Sequence, residues 1–440
     1  MFLRFLTDRR GGVAPMFALA IIPMFGLVGA AVDYSRANSV RTAMQAAADA
    51  TALMLSKDAS SLTGSQLSSK ATAYFQALFN RPEAKNLAII PLYTTTGGSK
   101  LTITATASVD SHFMKMMGYP QLNVGTTAVV NWGNSRLRVA LVLDNTGSMA
   151  DAGKMSALKT ATNNLLTQLK NAASQNGDVY VSIIPFVKDV NVDPANHAAS
   201  WIDWTEWNSV NGSCSNWRYD NQTDCTNAGK TWTAANHNTW NGCVVDRGDW
   251  GAPNSGNYDT NVVAPGSSSA TKFAAEQYGS CPQAVMPLSN TWTQMTTLVN
   301  NMSPAGNTNQ AIGLAHGWMS LVGGGPYPTP PPLDPNYTYQ QVIILLTDGL
   351  NTQNRWYTDQ ASIDARQALT CNNINAAGFT LYAIQVNTGG DPTSTLLQNC
   401  AGSPGKYPDS SKFFLLTSAN QIVTTFNAIG TNLSQLRISK

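Results

Sequence analysis

The chain has 440 residues, 12% of them charged, with 27 basic against 25 acidic side chains and a formal net charge of +2. That length implies two or three domains, and the near-neutral balance without a basic run argues against nucleic acid as a partner. With so few charges, Asn, Ser, Thr and Gln must carry the surface, a composition common among exported and cell-surface proteins.

Arg4, Arg9 and Arg10 precede residues 13–32, a run of twenty residues without a charge. As a helix this run is about 30 Å long, the thickness of a bilayer's hydrocarbon core. Pro15 and Pro23 are tolerated in a membrane helix. Basic residues before the span and Asp33 after it predict a cytoplasmic N-terminus and an exported remainder. A cleavable signal peptide with Val28-Gly29-Ala30 as its small-residue site is the rival. The length of the span and the helix-forming sequence that runs straight on favour a single-pass anchor. From residue 33 to about 57, Val40, Ala43, Met44, Ala47, Ala50, Met54 and Leu55 form a mild apolar stripe. It fits either a plain amphipathic stalk or a pilin-like helix packed against similar helices.

Residues 58–135 read as a small α/β module: a helix near 65–79, then strands near 87–93, 100–109 and 122–132. Gly97-Gly98 is a hairpin signal between the first two strands. No titratable cluster appears there, which points to a structural or assembly role. The run Arg138-Val139-Ala140-Leu141-Val142-Leu143 reads as a strand buried on both faces. It ends in Asp144-Asn145-Thr146-Gly147-Ser148, a carboxylate and two hydroxyls on one loop. A helix over 154–169 and a second buried strand over 179–187 follow. That order implies a parallel crossover and an α/β sheet.

Residues 190–285 are irregular, with seven tryptophans between 201 and 250. A loop that long requires a function or its own staples. The tryptophans serve as a recognition surface or as the core of a small disulfide-bound subdomain, with the core favoured. His197 and His237 lack metal-like spacing and read as surface residues. The six cysteines are Cys214, Cys225, Cys243, Cys281, Cys371 and Cys400, with no C-x-x-C spacing. Their even number favours disulfides in an oxidising compartment, with sequential pairing the simplest of fifteen connectivities.

Further on come a helix near 291–301, a polar loop carrying Thr308, and a helix to about 321. Residues 323–336 form a Gly/Pro-rich surface loop. A buried strand over 341–347 then ends in Asp348-Gly349. A helix near 360–375, strands near 380–386 and 413–416, and a closing helix over 418–436 complete the chain. The last helix carries Ile422, Phe426, Ile429, Leu433 and Leu436 on one face.

Two buried strands thus end in Asp144 and Asp348, and a third loop presents Thr308. In open α/β sheets ligands bind outside the carboxyl ends of the strands. The set Asp144-Asn145-Thr146-Gly147-Ser148, Thr308 and Thr347-Asp348-Gly349 resembles the metal-ion-dependent adhesion site of von Willebrand factor A domains. The family pattern is Asp-x-Ser-x-Ser, a distant Thr and a later Asp, and the one departure is Thr146 for Ser. The resemblance implies a Rossmann-like, doubly wound, mostly parallel sheet over 136–440 with a Trp/Cys-rich insertion at about 190–285. It also implies hydroxyl ligation by Thr146 and Ser148, with Thr308 a direct or water-bridged ligand and Asp144 and Asp348 holding the metal's waters and orienting the hydroxyls. Mg²⁺ suits such a site, with Ca²⁺ or Mn²⁺ as alternatives. The open position would take a carboxylate from a protein partner.

Arg10-Gly11-Gly12-Val13-Ala14, Val32-Asp33-Tyr34-Ser35-Arg36 and Met44-Gln45-Ala46-Ala47-Ala48-Asp49-Ala50 resemble assembly proteins of the Tad (Flp pilus) system, of the TadG type. These join a TadE/TadG-like membrane segment to a von Willebrand A domain. The fifth position after Gly12 is Phe17, where related small pseudopilins carry Glu, which argues against prepilin-type processing. The resemblance implies a bacterial inner-membrane protein, with an anchor and pilin-like helix at 1–57, that assembles or anchors a pilus. A stand-alone surface adhesin or lectin using the Trp-rich insertion is the alternative. A metal-dependent hydrolase is the weakest reading, because His316 is the only nearby general base and sits as a packed helix residue.

Overall fold

The computed structural model describes residues 13–95, 99–132, 135–173, 175–248, 259–334 and 337–438. The arginines ahead of residue 13, the Gly97-Gly98 turn, Trp250 and the Leu436 side chain lie outside them. The chain divides at Ser135 into two compact units.

In the first unit α1 runs unbroken over Val13–Ser56 and is long and apolar enough to cross a membrane. Its first half exposes Met16, Phe17, Leu19, Met24, Phe25, Leu27 and Val28. Its second half buries Ala37, Val40, Met44, Ala47, Ala48 and Leu55, the i, i+3, i+4 rhythm of one helix face. Met54, expected in that stripe, is exposed, because one residue before Leu55 it points about 100° away. The stripe is covered within the chain itself, by Leu101, Ile103 and Ala105 of a sheet. α2, Gly64–Leu78, starts at a capping box in which Thr63 and Gln66 satisfy each other's backbone N–H groups. Then β1 (Ala84–Thr94), β2 (Ser99–Asp110) and β3 (Gln121–Trp132) form an antiparallel sheet in that order.

The second unit begins with β4, Ser135–Asp144, and α3, Lys154–Ala172. β5 (Val179–Phe186) follows, then the short β6 (Val190–Asn191), β7 (Ile202–Asp203), α4 (Thr205–Val210), β8 (Gly212–Cys214), α5 (Gln222–Asn227) and β9 (Trp232–Ala234). β10 (Cys243–Val245), β11 (Phe273–Ala275), β12 (Met286–Ser289), α6 (Trp292–Asn301) and α7 (Gln310–Val322) come next. The unit closes with β13 (Thr338–Thr347), α8 (Gln360–Ala376), β14 (Thr380–Val386), α9 (Thr395–Cys400), β15 (Phe413–Leu416) and α10 (Asn420–Ile438).

β5, β4, β13, β14 and β15 lie side by side in that order and run parallel, with β12 antiparallel on β5. Both faces are covered. Leu158, Leu165 and Leu169 of α3 and Phe426 and Leu433 of α10 pack on one face, and α7 packs on the other. This is why residues 139–143 of β4 and 342–346 of β13 are apolar at every position rather than alternating. The order reverses between β4 and β13, so a crevice opens at their carboxyl ends. α7 packs very closely on β4, since a Cβ on Gly317 would collide with the Val142 side chain.

The short β6, β10, β11 and β7 extend the sheet beyond β5. Trp207 and Trp240 are buried there and Trp204 stacks on His237 with ring centroids 3.8 Å apart. His237 also bonds Asn208 and stays partly exposed. Of the described tryptophans in this stretch, Trp217 is the exposed one. Disulfides join Cys214–Cys225, Cys243–Cys281 and Cys371–Cys400. Replacing Cys243 and Cys281 by serine opens a cross-link between residues 38 apart, a loss of about 4 kcal/mol by loop entropy. A melting temperature lower by several degrees under non-reducing conditions is the expected result, and an unchanged one would refute the staple.

Candidate metal centre

The parallel register sets Leu346 of β13 beside Leu143 of β4, so Asp144 and Thr347-Asp348 emerge together. Thr146 donates to Asp144 Oδ1 from its backbone N–H (2.8 Å) and its hydroxyl (2.6 Å). Thr347 Oγ1 donates to Asp144 Oδ2 at 2.7 Å, and Ser148 Oγ donates to Asp348 Oδ1 at 2.6 Å. The Thr146 and Ser148 hydroxyls stand 3.2 Å apart. Asp144, Thr146 and Asp348 are buried while Ser148 is exposed, so the cluster opens to solvent on the Ser148 side. Burial, and behind it the Asp348 carboxylate, pushes the Asp144 carboxyl up to about 7.

Thr308 is near but is not joined to this cluster by a hydrogen bond among the described residues. Its loop reaches the motif through Gly147, whose N–H donates to Gly306 O at 3.0 Å, and through Ala305, whose N–H donates to Asn145 O at 2.9 Å. Thr308 itself is buried, with its N–H on Thr352 Oγ1 at 2.8 Å. Gln310 and Asn351 stitch the loops together: Gln310 N–H donates to Asn351 Oδ1 and its side chain donates to Gly349 O.

Lys154 is the residue that sequence reasoning missed. Its ammonium lies 2.5 Å from Asp348 Oδ2 with both side chains buried. Its signal was phase: Lys154 precedes Leu158 and Ala161 at helical spacing on the buried face of α3.

Among the described residues no three of His, Cys, Asp or Glu gather as a metal cage, so an ion here would draw on hydroxyls. Adjacent ligands of an octahedral Mg²⁺ at ~2.1 Å stand about 3.0 Å apart, a spacing that the Thr146 and Ser148 hydroxyls meet. The donor set of two hydroxyls backed by two carboxylates fits a hard cation that keeps waters. With both carboxylates ionised, Lys154 leaves the cluster one net negative charge.

His316 lies elsewhere. It is buried, Nδ1 bonds Tyr327 Oη at 2.9 Å, and burial pushes its pKa down to about 4. The 190–285 stretch reaches the site's rim through Asn309, which donates to Asp246 Oδ2 at 2.8 Å. Arg355 donates to Asp246 O and to Glu206 on the same side.

Residues 11–54 match the model of the putative Flp pilus-assembly TadE/G-like family, so the chain carries a TadE/G-like segment at its N-terminus. No curated protein matches the chain. Among solved structures it is similar to the pilus adhesin SpaC from Lactobacillus rhamnosus GG, with 14% identity and a TM-score of 0.36 over 82% of this chain and 36% of that one. It is also similar to the vWF domain of the type V pili tip protein Mfa5 from Porphyromonas gingivalis, with 8% identity and a TM-score of 0.37 over 69% of this chain and 97% of that one. A third is proximal thread matrix protein 1 from the mussel byssus, described with a zinc-occupied MIDAS motif, with 12% identity and a TM-score of 0.31 over 69% of this chain and 46% of that one. The chain thus spans about a third to a half of the length of SpaC and the byssus protein.

Proposed function

We propose that this chain is a TadG-type protein, anchored in the bacterial inner membrane by residues 13–32, that captures a protein partner through a metal ion and so assembles or anchors a Tad/Flp-type pilus. In this reading residues 1–57 are anchor and pilin-like helix, 58–135 a small module, and 136–440 a von Willebrand A domain with a Trp/Cys-rich insertion. The order β12-β5-β4-β13-β14-β15 supports that domain, because it is the doubly wound 3-2-1-4-5-6 order with its switch point at β4 and β13.

The observation that carries the reading is the hydrogen-bonded set of Asp144, Thr146, Ser148 and Asp348 at that switch point. Thr146 and Ser148 would hold Mg²⁺ directly, with Ca²⁺ or Mn²⁺ as alternatives. Asp144 and Asp348 would orient the hydroxyls and the ion's waters, and Thr308 would join through a water or a small loop movement. With both carboxylates ionised, a divalent ion turns the cluster's one net negative charge into one net positive charge. The exposed Ser148 side would then attract a partner's carboxylate. Binding rather than hydrolysis is the reading that His316 supports, because it is buried and its Nδ1 bonds Tyr327. A cross-linked pulldown of the full chain from membranes tests it. A partner recovered with Mg²⁺ and lost with chelator is expected, and recovery indifferent to chelator would overturn the metal-dependent reading.

A further inference from the structure

We propose that the connection between β2 and β3, residues 111–120, is a second membrane contact that dips into the leaflet at the exported end of α1. The proposal rests on the reading of residues 13–32 as the anchor. Asp33, one residue past the apolar span, accepts the N–H groups of His112, Phe113 and Met114 at 3.0, 2.7 and 2.8 Å. This fixes the connection against the helix at the edge of the span. The connection closes on itself through Ser111 N–H to Pro120 O at 3.0 Å and Gly118 N–H to Lys115 O at 3.2 Å, with Gly118 at φ 90°.

The contact then runs back along the span. A Cβ on Gly29 would come within 2.5 Å of Phe113, and one on Gly26 would lie 3.9 Å from Met117 Sδ. Gly29 and Gly26 lie about 4.5 and 9 Å inside the span's end at Val32, by the helical rise. Phe113 and Met117, which make these contacts, are 46% and 61% exposed, and Met116 and Tyr119 of the same connection are 88% and 61% exposed. The neighbouring helix surface, Phe25, Leu27 and Val28, is exposed and apolar as well. An aromatic and methionine tip level with the outer turns of a bilayer-spanning helix is surrounded by acyl chains. A Tyr at its edge and Lys115, which can extend its ammonium toward phosphates, complete an interfacial composition. The occupant is therefore phospholipid, continuous with the lipid around α1.

The test uses the full chain in phospholipid nanodiscs. The native cysteines are all paired, so single nitroxide labels go on Met116→Cys, on Leu27→Cys in the span, and on Ser65→Cys, exposed on α2. Met116 is so exposed that the substitution spares the fold. The expected result is a Met116 label several-fold more accessible to oxygen than to a water-soluble nickel complex, as at Leu27, with Ser65 reversed. A Met116 label in water with Leu27 in lipid overturns the docking and leaves the anchor standing. Both labels in water overturn the anchor and the docking together. A Met116 label shielded from both reagents shows that protein, such as a second copy, covers the tip, and overturns the lipid assignment.

Discussion

Substituting Asp144 by alanine abolishes the Mg²⁺-dependent rise in melting temperature and the heat of Mg²⁺ binding. Saturation at a hundredfold excess over Kd stabilises a folded chain by about 2.7 kcal/mol, and that increment vanishes in the variant. The reason lies in what the carboxylate holds. Asp144 Oδ1 fixes the Thr146 hydroxyl and N–H, and Oδ2 fixes Thr347 Oγ1. Without them one of the two proposed hydroxyl ligands loses its orientation, and one of the cluster's two carboxylates is gone. Each stranded donor costs the metal-free protein about 1–3 kcal/mol, offset in part because burial already disfavours the charged carboxyl. Asp144→Asn keeps the shape and still loses the charge, so it separates ion binding from folding. Calorimetry with both variants checks this, and undiminished Mg²⁺ binding in either would refute the site.

The parallel core was readable from the sequence because each of its long strands carries its own signal. Runs such as 139–143 and 342–346 are apolar at every position, which only strands covered on both faces require. The amphipathic helices between them keep a clean period, so α3 and α10 have the expected faces. Asp144 and Asp348 were legible for the same reason: each closes such a run.

The extension β6-β10-β11-β7 was not legible, because strands of two or three residues have no periodicity and pair with distant partners. The second half of α1 carried a visible stripe, but its cover, the β1–β3 sheet, is set by tertiary contacts that no local pattern encodes. The 111–120 connection is similar. Its clamp depends on Asp33, about eighty residues earlier, and a run rich in Met and Phe gives no warning of that contact. Thr308 shows the limit at the site itself: its place in the chain order was readable, but its hydroxyl lies outside the cluster's hydrogen bonds.

Lys154 was hidden by its residue type, since a lysine opening a helix usually faces water. Buried against Asp348, it makes a prediction with two opposed signs. Lys154→Met removes the cation from a buried pair, which costs the metal-free protein about 3–5 kcal/mol because Asp348 keeps a charge without a counter-ion. The same change removes a positive charge that repels the arriving Mg²⁺. At an effective dielectric of about 20, like charges a few ångströms apart repel by several kcal/mol. Mg²⁺ affinity should therefore rise by tenfold or more, about 1.4 kcal/mol. The variant thus melts well below the parent without metal, and Mg²⁺ closes much of the gap. Lys159→Met on the same helix, where the ammonium makes an exposed bond to Asn300 O, should leave Mg²⁺ affinity unchanged. Weaker Mg²⁺ binding in Lys154→Met would mean that the ammonium organises Asp348 for the ion rather than standing in for it.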